Sequence, residues 1–326
     1  MTFHLWLQSL VTLTLTSFAF SATIPTTLPP TNSTTPNGIE LPNDPSHLTT
    51  IPRNFRVIWE AATGRSAGFF QEEAGMTLAI STLQLLVPMS PNAPVYPSSN
   101  ALPGANLVLS IGGWPLGRTT HRDFLIWGFD LAMTQIALRR QYAYGTYWLK
   151  LDGVQIGYIT FDRFHRLDGV EAQVLNNTIT NIEGPWNVSN GEAHPTYNFD
   201  VGTPELDHTS FYKAIFKAMF DLVDKKPDDE IAESSTFTAG NVDLSFKQQW
   251  LGQQPKLTYR MAVELLSYAG QLPYLIYAWR DVSICMFWQD ANGQKKPMAE
   301  IDVKAKGIGQ NQTATSNSNA VDVATA

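Results

Sequence analysis

Apolar and polar residues follow two periods along residues 51–305, and these periods predict a mixture of strands and helices. Alternation with a period of two is typical of a half-buried strand, whereas apolar residues three or four apart indicate an amphipathic helix. The predicted helices are 69–87, 121–141, 209–224 and 257–269, the second capped by Thr120 with Asp123 in its first turn. The predicted strands are 55–60, 107–111, 147–151, 154–161, 197–201, 236–246 (a strand or a hairpin), 275–279, 283–288 and 298–303.

The distribution of apolar residues in these elements predicts the fold class. Each predicted helix has one apolar side, as in a helix that covers one face of a sheet. The strands have mixed patterns instead of the long Val/Ile/Leu runs of a fully parallel sheet. We therefore expect an α+β fold, with mixed or antiparallel sheets covered by helices.

The order of predicted elements occurs twice, as strand, helix, strand, helix, strand, strand. Segments near the ends of the two series are also similar, with Asp152-Gly153-Val154 in 151–156 and Arg280-Asp281-Val282 in 280–284. This similarity suggests a duplicated unit of about 100 residues, a common domain size. The alternative is that an α+β chain produces such an order by chance.

The ends of the chain have the composition of a secreted protein. Residues 1–21 are typical of a signal peptide cleaved before Ala22, with a membrane anchor as the alternative. Residues 22–50 contain 10 Ser/Thr and 6 Pro, which predicts an O-glycosylated linker. The remaining predicted segments are a first α+β unit at 51–162, a loop at 163–193, a second unit at 194–305 and a disordered tail at 306–326.

Charge and cysteine content exclude several classes of protein. The net charge is −7 and no basic stripe is present, so we expect no nucleic-acid partner and no membrane partner after signal cleavage. A single cysteine excludes an internal disulfide framework and a Cys-rich metal site. Cys285 lies in an alternating segment and is expected to be a buried free thiol.

Candidate binding residues are tryptophans outside the predicted helices and strands. Trp114, Trp186 and Trp250 lie near Gly, Pro or Asn, and exposed indole rings stack on sugars or anchor proteins. The other tryptophans are expected to be in the core. Four N-glycosylation motifs fall in predicted linkers or loops, at Asn32, Asn176, Asn187 and Asn311.

Local motifs predict no catalytic residue, no cofactor and no metal site. The chain has no phosphate loop, dinucleotide fingerprint, two-His helical motif or nucleophile elbow. Asp162, His165, Asp168 and Glu171 are spaced by three, but Asp168-Gly169 favours a turn that breaks a shared helix face. A Ser-His-Asp triad assembled by folding stays open, because its members need not be adjacent in sequence.

Two stretches resemble motifs of family-18 chitinases. Leu107-Val108-Leu109-Ser110-Ile111-Gly112-Gly113-Trp114 resembles the Ser-x-Gly-Gly strand, and 151–159 lies where that family has its Asp-Gly-x-Asp-x-Asp-x-Glu strand. The resemblance implies a sugar-binding relative without catalysis, because the acidic positions after Asp152 hold Gln155, Gly157 and Ile159. Hydrolysis needs the final Glu as an acid, so no activity follows from this resemblance.

The overall arrangement resembles secreted fungal proteins of unknown function. The features that carry this resemblance are the signal peptide, the Ser/Thr/Pro linker, an aromatic-rich body, the helix at 124–129 and the hairpin at 147–161. It implies an extracellular or cell-wall location and no established activity.

Three functions are consistent with the sequence. The leading one is a secreted glycoprotein that binds a cell-wall glycan or an extracellular protein without catalysis. The second is an extracellular hydrolase whose site is assembled from distant residues. The third is a host-facing protein that acts through a surface patch. The sequence predicts neither the ligand nor the oligomeric state.

Overall fold

The computed structural model describes residues 39–40, 51–64, 67–140, 142–164, 173–174, 194–231, 234–248 and 256–306. These residues include four helices, α1 (Glu72–Leu86), α2 (Arg122–Arg139), α3 (His208–Asp221) and α4 (Tyr259–Ile276). The predicted signal peptide, the glycosylation motifs and the tail lie outside the described residues. No helix in the described part of the chain is long and apolar enough to cross a membrane.

The first unit contains a seven-stranded sheet with the order β1-β2-β7-β8-β5-β4-β9. Its strands are β1 (Ile39–Glu40), β2 (Phe55–Ala61), β4 (Ser98–Leu102), β5 (Leu107–Gly113), β7 (Gly145–Leu151), β8 (Val154–Arg163) and β9 (Gln173–Val174). All neighbouring strands are antiparallel except the edge pair β4 and β9. A separate two-stranded antiparallel sheet pairs β3 (Pro94–Val95) with β6 (Thr120–His121). The edge strands β1 and β9 lie in segments that the sequence assigned to linker and loop.

The second unit contains a five-stranded antiparallel sheet with the order β10-β13-β14-β12-β11. Its strands are β10 (His194–Glu205), β11 (Ser235–Ala239), β12 (Val242–Gln248), β13 (Arg280–Gln289) and β14 (Lys295–Ala305). Four helices with antiparallel sheets confirm the predicted α+β class.

The two units have the same topology. Strands β2, β4, β5, β7 and β8 correspond in chain order and in sheet position to β10, β11, β12, β13 and β14. The correspondence extends to single hydrogen bonds. In the first unit the amide of Phe70 donates to the carbonyl of Tyr142, and at the equivalent place in the second unit the amide of Leu206 donates to the carbonyl of Trp279. Both long hairpins also change register at the same place, opposite Leu149 and Met286, where the second strand has one extra residue, Ile156 or Met298. The structure therefore supports an internal repeat.

The helices form a layer between the two sheets. The first helix of each unit contacts the second helix of the other, since α1 packs on α4 and α2 packs on α3. Helix α1 is buried almost all round because it touches the first sheet on one side and α4 on the other. This position explains why α1 has apolar residues on nearly all sides, whereas a surface helix has a single apolar stripe. One hydrophobic core thus joins the units.

Several predicted elements need correction. The repeated order is strand, helix, strand, strand, helix, strand, strand, because β4 was missed and 236–246 is a hairpin. The predicted strand 275–279 is wrong, since α4 continues to Ile276 and a left-handed Tyr277 ends it. Helix α2 begins at Arg122, and its N-cap His121 makes no side-chain capping bond, so Thr120 is not the cap.

Candidate functional site

The outer face of the first sheet carries a row of large apolar side chains. Residues Phe55, Val57, Tyr147, Leu149 and Ile159 point towards the helices and are buried. The residues between them point outwards, and the register places Ile58 beside Trp148 and Trp148 beside Tyr158. Three adjacent strands therefore present one apolar side chain each at the same level of the sheet.

A loop adds a third aromatic ring to this row. Trp114 follows β5, and its amide donates to the carbonyl of Ile156 on β8 at 3.3 Å. Its ring meets the Trp148 ring edge to face, with centroids 5.3 Å apart, and Trp148 meets Tyr158 in the same way at 6.4 Å. We call Ile58, Trp114, Trp148 and Tyr158 the aromatic surface. Trp114 is 38% exposed whereas Tyr158 is 8% exposed, so a ligand would reach this surface from the Trp114 end.

The rings of the aromatic surface are held in place before any ligand binds. The indole nitrogen of Trp148 donates to Glu60 Oε2 at 2.7 Å. Tyr158 lies over Gly112, where a Cβ atom would come within 2.8 Å of its hydroxyl oxygen. Burial raises the pKa of the Tyr158 hydroxyl, which therefore stays protonated at neutral pH. A fixed surface loses little side-chain entropy on binding.

A row of hydroxyl groups begins beside the aromatic surface, with Thr146 two residues before Trp148 on β7 and Thr160 two residues after Tyr158 on β8. Thr146 and Thr160 share a hydrogen bond of 3.0 Å, and Ser99 and Ser110 share one of 2.7 Å. The cross-strand register places Thr160 next to Ser110, so the four hydroxyls continue across neighbouring strands. The first sheet thus offers flat rings and hydroxyl groups side by side.

The corresponding face of the second sheet is polar. By the matched register, Trp148 corresponds to Cys285 and Tyr158 to Glu300. Cys285 is partly exposed on this face, which corrects the prediction of a buried thiol. Burial, followed by the nearby Glu300 and Asp302, raises the pKa of its thiol, so it is a poor nucleophile. Among the described residues, the second sheet therefore has no counterpart of the aromatic surface.

A second group of functional side chains lies where the two units meet. Glu72 is the first residue of α1, and His208 is the first residue of α3. Glu72 Oε2 lies 3.4 Å from His208 Nδ1, and Glu72 Oε1 accepts a hydrogen bond of 2.5 Å from the Tyr142 hydroxyl. The His208 ring is parallel to that of Trp279, with centroids 3.4 Å apart. We call Glu72, Tyr142, His208 and Trp279 the interunit cluster.

Neighbouring residues fix the backbone of the interunit cluster. Asp207 caps α3 by accepting hydrogen bonds from the amide and the hydroxyl of Ser210, at 2.8 and 2.7 Å. Arg140 pairs with the same carboxylate at 3.3 Å. Burial alone would raise the pKa of Asp207, but the bonds from Ser210 and the Arg140 charge outweigh it and lower the pKa. Burial and then Glu72 raise the pKa of the Tyr142 hydroxyl, which remains a donor.

The structure describes one of the three predicted tryptophans. Trp114 lies in a loop and is exposed, whereas Trp186 and Trp250 lie outside the described residues, as do Asn32, Asn176, Asn187 and Asn311. Sequence reasoning missed Trp148, which was assigned to the core. Lys150 could have indicated the exposure of Trp148. The two residues lie two positions apart and therefore on the same face of β7, and a lysine is rarely buried.

Other candidate sites are weak. Within the described segments no group of three or more His, Cys, Asp or Glu side chains is placed to hold a metal ion. A cavity of about 240 Å³ opens between Trp59, Phe69 and Tyr144. It is smaller than the roughly 300–1,000 Å³ of typical small-molecule sites.

Comparisons with known proteins give no family. No protein-family model matches the chain, and no curated protein matches it. Two solved structures align with it, a candidate thioesterase from Novosphingobium aromaticivorans and a conserved hot dog fold protein of unknown function from Alicyclobacillus acidocaldarius. The first alignment covers 78% of this chain and 96% of that chain, and the second covers 81% and 97%. Both have 11% identity and a TM-score of 0.12, so neither carries an argument.

Proposed function

We propose that this protein is a secreted glycoprotein that binds a glycan without catalysis, at the aromatic surface of its first sheet. The observation that carries the proposal is the exposed Trp114 ring set against Trp148, which Glu60 holds in place. The C–H groups on one face of a sugar ring pack against an aromatic ring, as other apolar groups do.

The hydroxyl row supports a sugar over a purely apolar ligand. Thr146, Thr160, Ser99 and Ser110 can donate to and accept from sugar hydroxyls at the edge of the aromatic surface. A protein partner would more often demand a wider apolar patch with a polar rim. The combination of rings and neighbouring hydroxyls fits a polymer chain laid across the strands.

The proposed location rests on the sequence. The signal peptide predicted at 1–21 and the four glycosylation motifs support a location outside the cell, where wall glycans are available. No motif supplies an acid for glycoside hydrolysis, which favours binding over cleavage.

A binding assay on insoluble polymers tests this function. Purified mature protein is incubated with chitin, β-glucan and cellulose, and the bound fraction is measured across protein concentrations. We expect binding to one of them without release of soluble sugar. We also expect Trp148→Ala and Trp114→Ala each to weaken it by about tenfold, which corresponds to roughly 1.4 kcal/mol.

Tyr96→Ala is the matched control, because Tyr96 is a highly exposed aromatic residue of the same unit that lies outside the aromatic surface. It should bind like the unchanged protein. If no polymer is bound, or if both tryptophan variants bind normally, the glycan proposal is wrong. Selective retention of an extracellular protein by the aromatic surface would then identify a protein ligand instead.

A further inference from the structure

The internal repeat places two different ionisable residues at equivalent positions. Glu72 begins α1 and His208 begins α3. Each lies two residues after one of the matched residues Phe70 and Leu206, whose amides make equivalent hydrogen bonds. A repeat with identical halves would bring two like residues together here. Instead the two units contribute a carboxylate and an imidazole, which face each other across their boundary.

The geometry fixes which imidazole nitrogen is available for chemistry. His208 Nδ1 faces Glu72, so Nε2 lies on the opposite side of the ring. The parallel contact with Trp279 fixes the plane of the ring, and Tyr142 fixes the carboxylate. The His208 side chain is 35% exposed, and Nε2 has no hydrogen-bond partner among the residues that the structure describes.

We propose that His208 is a general base, oriented by Glu72, that hydrolyses small uncharged carboxylic esters. An imidazole whose Nδ1–H is directed at a carboxylate presents an unprotonated Nε2 that accepts a proton. Glu72 is a positioning residue in this scheme, because it acts through His208 and does not touch the substrate. This activity is separate from glycan binding, since the interunit cluster and the aromatic surface share no residue.

The reaction balances without a cofactor. Nε2 takes a proton from a water molecule while the water oxygen forms a bond to the ester carbonyl carbon. The tetrahedral intermediate collapses, the bond between the carbonyl carbon and the alkoxy oxygen breaks, and Nε2 returns the proton to the leaving alkoxy oxygen. The products are a carboxylic acid and an alcohol, and His208 ends in its starting state.

The charges around the cluster determine the substrate class. Glu72, Glu73 and Asp207 are acidic, and the guanidinium of Arg140 is paired with Asp207. A negative surrounding disfavours an anionic substrate, because like charges repel at short range. An uncharged ester approaches without this penalty.

Hydrolysis of p-nitrophenyl acetate by the full mature chain tests the proposal. The rate constant is compared with that of free imidazole at the same concentration and pH. We expect the protein to be faster, and we expect the substitution His208→Asn to lower its kcat/KM by at least about 100-fold. His121→Asn is the matched control, because His121 also lies at a helix start, while its Nδ1 faces the carbonyl of Asn92 and no carboxylate.

Two further measurements separate catalysis from a structural role. Glu72→Gln should lower kcat about tenfold and leave KM unchanged, whereas a general loosening of the fold would alter both. Diethyl pyrocarbonate acylates imidazole in the folded protein, so it tests His208 without a substitution. We expect modification mapped to His208 to remove the activity, and hydroxylamine to restore it.

The proposal is overturned if the protein is no faster than free imidazole. It is equally overturned if folded His208→Asn, or protein modified only at His208, keeps the full rate.

Discussion

A single buried guanidinium joins three helices in this fold. Arg122, at the start of α2, is 1% exposed. Its nitrogens donate to the carbonyls of Leu86, Val87 and Val223, at 3.1, 2.7 and 2.8 Å. The first two carbonyls end α1, and the third follows α3. Carbonyls at a helix end have no partner within the helix, so a buried end needs a donor from elsewhere.

We predict that Arg122→Met lowers the free energy of unfolding by about 3 kcal/mol, because several buried carbonyls lose charged hydrogen-bond donors. Urea unfolding followed by tryptophan fluorescence measures the change. Arg260→Met is the control, since Arg260 lies in the first turn of α4 in the second unit and pairs with the exposed Asp228. Its effect should stay below about 1 kcal/mol. Equal losses in both variants would contradict the assigned role of Arg122.

The candidate sites show how far residue patterns lead. Trp114 was predicted as a binding residue because it adjoins glycine and proline in a loop, a local feature. Trp148 and Tyr158 join it only through the pairing of β7 with β8, and local periodicity does not predict which strands pair. The contact between Glu72 and His208 spans 136 positions, so no spacing rule could have found it.

At the scale of elements, long helices with clear periods were predicted well and edge elements were not. The sequence Ser98-Ser99-Asn100 is polar and has low strand propensity, so β4 was missed, although Asn100 is buried and bonds to Thr82. The segment 275–279 was assigned to a strand, and the helix before it was predicted to end at 269. In the structure α4 passes through Pro273, and tertiary packing overrides the local signal.

Helix α4 packs closely against α1 and α3 at Gly270. A Cβ atom at Gly270 would lie 2.5 Å from Ile80 Cδ1 on α1 and 3.1 Å from Ile215 Cγ2 on α3. Alanine is the better helix former by about 1 kcal/mol, so propensity alone would favour it here. The contacts oppose this preference, because both isoleucines are fully buried and have little room to move.

We therefore predict that Gly270→Ala lowers the stability by about 1–2 kcal/mol despite the gain in helix propensity. Adding Ile80→Val, which removes the Cδ1 atom, should recover part of the loss in a double-mutant cycle of thermal unfolding. Gly104→Ala is the control, since its nearest contact would be the Tyr274 hydroxyl at 3.7 Å. Stabilisation by Gly270→Ala would contradict the packing described for α4.

At the scale of the whole molecule, the repeat divides the chain into two units that share one core. The suggestion of a duplicated unit came from the order of predicted elements, and the sheet order and matched hydrogen bonds now support it. The sequence could not show that helices from both units meet. An apolar stripe on a helix indicates that this side of the helix is covered, but it does not identify the element that covers it. Ser267 of α4, which donates to Gln84 of α1 at 2.6 Å, is such a contact.

A shared core predicts that the two units unfold together. Ile80 lies on α1 in the first unit, yet it packs against Gly270 in the second. Ile80→Ala removes buried methyl groups and should lower the stability by about 2–5 kcal/mol. In native-state hydrogen exchange, the amides of Leu149 in the first sheet and Leu244 in the second should lose equal protection, because both exchange through the same global opening.

Val154→Ala is the control, because Val154 is largely exposed at the start of β8 and its truncation should leave both amides unchanged. Loss of protection at Leu149 alone would mean that the second unit is stable by itself. The layer of helices would then be a boundary between independent domains. Equal loss at Leu149 and Leu244 would instead mean that the repeated units depend on each other for stability. Sites at their boundary, including the interunit cluster, would then exist only in the intact molecule.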